Sequence, residues 1–161
     1  MNRFLASVAL VLAAASFPAG GTTAQTFIDA RSYPTPAAGW ERFLALETRL
    51  VRGFDEVCGD TFCEGEYHNL QSLRFRCSVN AADGGVEECV WTFTGSTARV
   101  DGSTGRIIVD ARSWACPVPL AARTPLPILL QALEQDDPLH VRLPGTTTNL
   151  YKGLTGCLRP A

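Results

Sequence analysis

Apolar and polar residues alternate with period two across residues 72–79 and 88–93. Leu73, Phe75 and Cys77 fall on one side of the first stretch, and Cys89, Trp91 and Phe93 on one side of the second. Such alternation marks half-buried strands. Between them, Asn80-Ala-Ala-Asp-Gly-Gly85 has turn chemistry with Asp-Gly near its centre. Folding the chain symmetrically about Asp83 sets Cys77 opposite Cys89, Phe75 opposite Trp91 and Leu73 opposite Phe93. A one-residue slip would send the members of each pair to opposite faces, so the turn and the pattern support one register.

Upstream the period becomes helical. Trp40, Phe43, Leu44, Leu50, Val51, Phe54 and Val57 form one apolar face, with Glu41, Arg42, Thr48, Arg49, Arg52 and Glu56 opposite. Thr35 suits the N-cap, Pro36 the first helical position and Gly59 the stop. Residues 25–35, which include Pro34, read as an extended leader. Downstream, residues 96–100 and 105–111 read as two short strands around Asp-Gly-Ser-Thr-Gly. Thr124-Pro125 opens a helix with Leu126, Leu129, Leu130 and Leu133 inward, and Asp136-Asp137-Pro138 ends it. Asn149 caps a last short helix whose Leu150, Leu154, Cys157 and Leu158 share a face. The expected fold is a single α+β domain over residues 36–161. An N-terminal helix packs on a four-stranded antiparallel meander, two short C-terminal helices follow, and disulfides staple the whole.

The first 24 residues lie outside this pattern. Arg3 precedes an apolar run from Phe4 to Ala15, and Thr22 and Ala24 form a small-residue cleavage point. This is the pattern of a secretory signal peptide, too short to span a bilayer. Its removal leaves 137 residues, with 13 basic against 16 acidic side chains, a formal charge of −3. That balance argues against a nucleic-acid binder, and no later stretch is apolar enough for membrane insertion. The expected localisation is exported, either periplasmic or secreted.

Six cysteines in an exported chain imply three disulfides. Cys58 and Cys63 close a tight loop, Cys77 and Cys89 face each other across the hairpin, and Cys116 and Cys157 remain. A metal site is disfavoured, because His68 and His140 lack ligand spacing. No cofactor motif is present.

Asp55, Glu56, Asp60, Glu64 and Glu66 crowd into twelve residues without a Lys or Arg. Their spacing does not match an EF-hand loop. A carboxylate pair with His68 would suit acid–base work, but there is no Gly-x-Ser-x-Gly elbow and no free cysteine. The candidate binding residues are therefore Asp60, Phe62, Glu64, Glu66 and His68, with the carboxylates attracting a basic partner and Phe62 anchoring at the tip. The segment from Leu143 to Tyr151 is the alternative surface.

The loop Cys58-Gly-Asp-Thr-Phe-Cys63 resembles the six-residue cysteine-closed loop of the periplasmic inhibitors of vertebrate lysozyme. The likeness covers this loop alone. That family presents a His there, whereas Asp60, Thr61 and Phe62 stand between these cysteines. The leading expectation is an exported, disulfide-stabilised binding protein, such as an inhibitor or immunity-type protein acting on a basic envelope or secreted enzyme. The alternatives are a small carboxylate-based hydrolase and a structural envelope protein without a discrete site.

Overall fold

The structure is a computed structural model and describes residues 25–158. The segment read as a signal peptide lies outside the described residues. The described chain runs β1 (Phe27–Asp29), α1 (Pro36–Cys58), β2 (Gln71–Asn80), β3 (Val86–Val100), β4 (Ile107–Pro117), α2 (Leu126–Leu133) and α3 (Leu150–Cys157). The strands form one antiparallel sheet in the order β1-β2-β3-β4. The fold class is the α+β arrangement the pattern predicts, with a different set of four strands. The leader contributes β1, which pairs with the end of β2. Residues 88–93 and 96–100 are not two strands but parts of β3. A turn is not needed between them, because Gly95 continues the strand under the Tyr67–Leu70 crossing. A Cβ at Gly95 would lie 3.1 Å from the Tyr67 side chain and 3.2 Å from that of Leu70.

The hairpin register agrees with the pattern at Cys77 opposite Cys89 and Phe75 opposite Trp91. The turn is closed by Asn80 and Gly85, with Gly84 at φ +71°, a conformation that favours glycine. Leu73 departs from expectation. A bulge between Ser72 and Arg74 sets Ser72 opposite Phe93 and leaves Leu73 exposed. The buried Trp91 indole explains what the bulge achieves: its Nε1–H donates to Ser72 Oγ at 2.8 Å. An indole N–H taken from water needs such an acceptor.

Helix α1 begins where expected, with the Thr35 hydroxyl accepting from Ala38 N–H and Pro36 opening the first turn. Its buried face is Phe43, Leu46, Leu50, Phe54 and Cys58, whereas Trp40 and Leu44 are about half exposed. The reason is a close approach that a helical wheel does not contain. Gly39 sits on the backbone of the preceding turn, where a Cβ would be 2.6 Å from the Arg31 and Tyr33 carbonyl oxygens. That contact fixes the rotation of the helix and turns Trp40 outward, under the Arg31 guanidinium. It also turns Glu47 inward. Its carboxylate accepts from Phe75 N–H at 3.1 Å and from Arg76 at 2.6 Å, satisfying the part of the β2 edge that short β1 leaves open.

The core lies between α1 and the sheet. Trp91 packs edge-on against Phe54 and Phe75 and at a tilt against Phe93. Leu126, Leu129, Leu130 and Leu133 of α2 are all buried, as their spacing predicts. Asn149 caps α3 through its side chain. The three disulfides are Cys58–Cys63, Cys77–Cys89 and Cys116–Cys157. They suit an oxidising, exported location. Among the described residues no helix is long and apolar enough to cross a membrane.

Candidate functional site

The acidic loop leaves the C-terminal end of α1. Gly59 follows the last turn, Thr61 N–H donates to the Cys58 carbonyl at 3.1 Å, and the Thr61 hydroxyl donates to the Val57 carbonyl. A short helical turn at Phe62–Glu64 brings Cys63 back to Cys58. The loop is therefore tied to the helix by a covalent bond and two hydrogen bonds.

Asp60, Glu64, Glu66 and His68 are exposed. Among the described residues none of them has an ion pair or a side-chain hydrogen bond, and the same holds for Asp55 and Glu56 on the last turns of α1. The carboxyl end of a helix carries partial negative charge, and no basic residue occupies the last turn of α1. These carboxylates thus add to a negative field without a direct ion pair, although Arg112 lines the Tyr67 crevice with Glu66 and Arg52 lies on the surface beside Glu56.

Phe62 does not project from the tip as an anchor. Its ring is half-buried, stacked on Phe54 at 5.8 Å and tilted against Tyr151 at 5.4 Å. Tyr151 in turn lies 4.7 Å from the His140 ring, and His140 Nδ1 is 3.0 Å from both carboxylate oxygens of Asp137. An aromatic row thus runs from the core through Phe62 and Tyr151 to exposed His140. It joins the acidic loop to the segment ending at Tyr151, which the sequence offered only as a separate alternative. Of these residues the sequence pattern does not single out Asp137; it considers His140 only as a disfavoured metal ligand and Tyr151 only as the end of the alternative surface. The three-residue spacing of Asp137 and His140 was the available signal, since that spacing suits a local side-chain contact.

On the other side of the loop Tyr67 is buried. Its hydroxyl donates to Asp110 at 2.6 Å, its ring meets Trp114 edge-on at 5.1 Å, and the Arg112 guanidinium lies over its face. Burial, then the hydrogen bond to Asp110, push the phenol up to about 12. A crevice lined by Phe62, Glu66, Tyr67 and Trp114 holds about 30 Å³. That is room for about one water and not for an organic substrate.

The geometry does not bring His68 together with the carboxylates of the loop. His68 makes no contact with Glu64 or Glu66 that would orient it, as an acid–base pair requires. Among the described residues no three His, Cys, Asp or Glu side chains cluster as metal ligands would. What the surface offers is fixed negative charge beside a row of half-buried rings. Fold and site together define a disulfide-stapled two-layer α+β domain with an acidic, covalently closed end. No family model matches the chain, and neither a curated protein nor a solved structure matches it.

Proposed function

We propose that this is a non-catalytic binding protein that docks a basic protein partner on its acidic end, in the manner of an inhibitor or immunity-type protein in the envelope or extracellular space. The observation that carries the reading is the accumulation of Asp55, Glu56, Asp60, Glu64 and Glu66, without ion pairs among the described residues, at the negative end of a 23-residue helix. Such charge works against the fold and would be offset by a cationic surface. The Cys58–Cys63 bridge limits the freedom the loop can lose on binding. Tyr151 and His140 extend the surface with partly exposed aromatic area of the kind that supplies contact energy at interfaces.

The test compares the wild-type protein with an Asp60→Asn, Glu64→Gln, Glu66→Gln variant. Both are immobilised, exposed to envelope extract at low salt and eluted with a salt gradient. A basic protein retained by the wild type and lost from the variant supports the reading. Equal retention by both overturns it.

A further inference from the structure

Among the described residues the last strand of the sheet, β4, pairs with no strand on its outer side; α3 meets its C-terminal end, through the Cys116–Cys157 bridge and the approach of Gly153 to Pro117. The hydrogen bonds at its two ends set the phase. Asp101 N–H donates to the Arg106 carbonyl and Val118 N–H to the Cys89 carbonyl, so even-numbered residues of the strand face β3. The N–H and C=O groups of Ile107, Val109, Ala111, Ser113 and Ala115 point the other way. Among the described residues these groups have no backbone partner outside the ladder. An edge of this length is normally blunted by Lys, Pro or a bulge. Here Pro117 blunts only the C-terminal end; from Ile107 to Cys116 the ladder has no bulge, and the first three residues are β-branched. Ile107 is 62% and Val109 65% exposed, beside Val100 at 64%.

We propose that β4 pairs with β4 of a second copy of this chain, antiparallel about a two-fold axis at Ala111, to make a continuous eight-stranded sheet. The register follows from the side chains. Centred on Ala111, the odd positions set Ile107 opposite Ala115, Val109 opposite Ser113 and Ala111 opposite itself, all on the sheet face that α1 leaves open. Small residues there accept the larger ones. The even positions form the closer, non-hydrogen-bonded pairs. They set Asp110 opposite Arg112 of the partner subunit, twice by symmetry, and Ile108 opposite Trp114 of the partner subunit. Moving the axis to residue 110 or 112 would instead oppose like charges. Moving it to 109 or 113 would set a charge against Ile108 or Trp114. Among axes at residues 109 to 113, the Ala111 register alone satisfies both charge and apolar character. Asp110 and Arg112 are 3.7 Å apart within one chain, and although both also contact Tyr67, each side chain remains nearly half exposed. The isologous geometry closes after two copies.

The test is sedimentation equilibrium over a concentration series, on protein purified after export with its disulfides formed. The wild type should dimerise. Asp110→Arg opposes two arginines, and Arg112→Asp opposes two aspartates. Each alone should dimerise about a hundredfold more weakly. An equimolar mixture should recover the dimer, because the two basic positions of the Asp110→Arg chain then face the two acidic positions of the Arg112→Asp chain. Ala111→Pro removes the axial N–H without touching either charge and should abolish pairing, which decides the matter if the charge variants fail to fold. A wild type that stays monomeric, a mixture that stays monomeric although both variants fold, or an Ala111→Pro dimer of unchanged strength would overturn the proposal. So would a wild-type edge that binds extended peptides and not itself.

Discussion

Phe62 lies nearly parallel on Phe54, with ring centroids 5.8 Å apart and planes 12° from each other. Phe54 is fully buried on α1, and Phe62 is the last residue before Cys63 in the closed loop. The stack makes the loop an outcrop of the core and not an independent appendage. Phe62→Ala should therefore lower stability by about 1–3 kcal/mol, less than the cost of truncating a wholly buried Phe. Urea unfolding measures it. An unchanged midpoint would show that the ring contributes little to the fold.

The three disulfides should contribute unequally. Cys116–Cys157 spans 41 residues, Cys77–Cys89 spans 12 and Cys58–Cys63 spans 5. In the loop-entropy model these lengths correspond to about 4, 3 and 2 kcal/mol. Paired Cys→Ala replacements should lower the melting temperature in that order, with the longest loop first. The Cys58→Ala, Cys63→Ala variant should still fold, since the Phe62–Phe54 stack remains. Reversal of the order would show that the bridges act mainly through native-state contacts.

These contacts also explain what could and could not be read from the chain. Cys77 opposite Cys89 was legible because the turn and the alternation are local and agree. Leu73 opposite Phe93 was not, because the bulge answers to the Trp91 indole, and nothing in residues 72–79 alone announces that acceptor. The buried face of α1 was partly legible: Phe43, Leu50 and Phe54 follow from spacing. Its rotation depends on Gly39 meeting the backbone of residues 31–33, a contact that periodicity cannot contain. The candidate site shows the same division. The charges and the closed loop stand together in the sequence. The inward turn of Phe62 and its meeting with Tyr151 join residues almost ninety positions apart, and only the packed core brings them together.

Tyr67 ties the loop's exit to β4 and should make stability fall in strong alkali. Its phenol ordinarily titrates near 10.0 and is pushed up to about 12 in the fold. The folded state therefore holds the proton more tightly than the unfolded state. The resulting stabilisation is complete below about pH 10 and is lost as pH rises towards 12. Tyr67→Phe should be less stable at neutral pH, because Asp110 loses its donor, and the gap from wild type should narrow through that alkaline window. Chemical denaturation of both proteins at several pH values checks this. A gap independent of pH would show that the proton on Tyr67 is not linked to folding.

The carboxylates at the end of α1 allow a prediction that needs no knowledge of the partner. If Asp60, Glu64 and Glu66 were structural, their replacement by Asn, Gln and Gln would destabilise the domain. Nothing among the described residues pairs with them, and Asp60 lies just beyond the negative end of the helix. Neutralisation should therefore leave the melting temperature unchanged or raise it, by about 0.3–1 kcal/mol in stability for the charge nearest the helix end. Added salt screens exposed like charges, so the wild type should gain more from salt than the triple variant does. Binding should move the other way. The captured partner should associate more slowly with the variant, while dissociation changes less, because exposed charges act mainly on encounter. Residues retained at a cost to stability and needed for association would be a contact surface. A triple variant that melts lower than the wild type at every salt concentration would show instead that the acids support the fold, and would move the search for a partner surface to Tyr151 and His140.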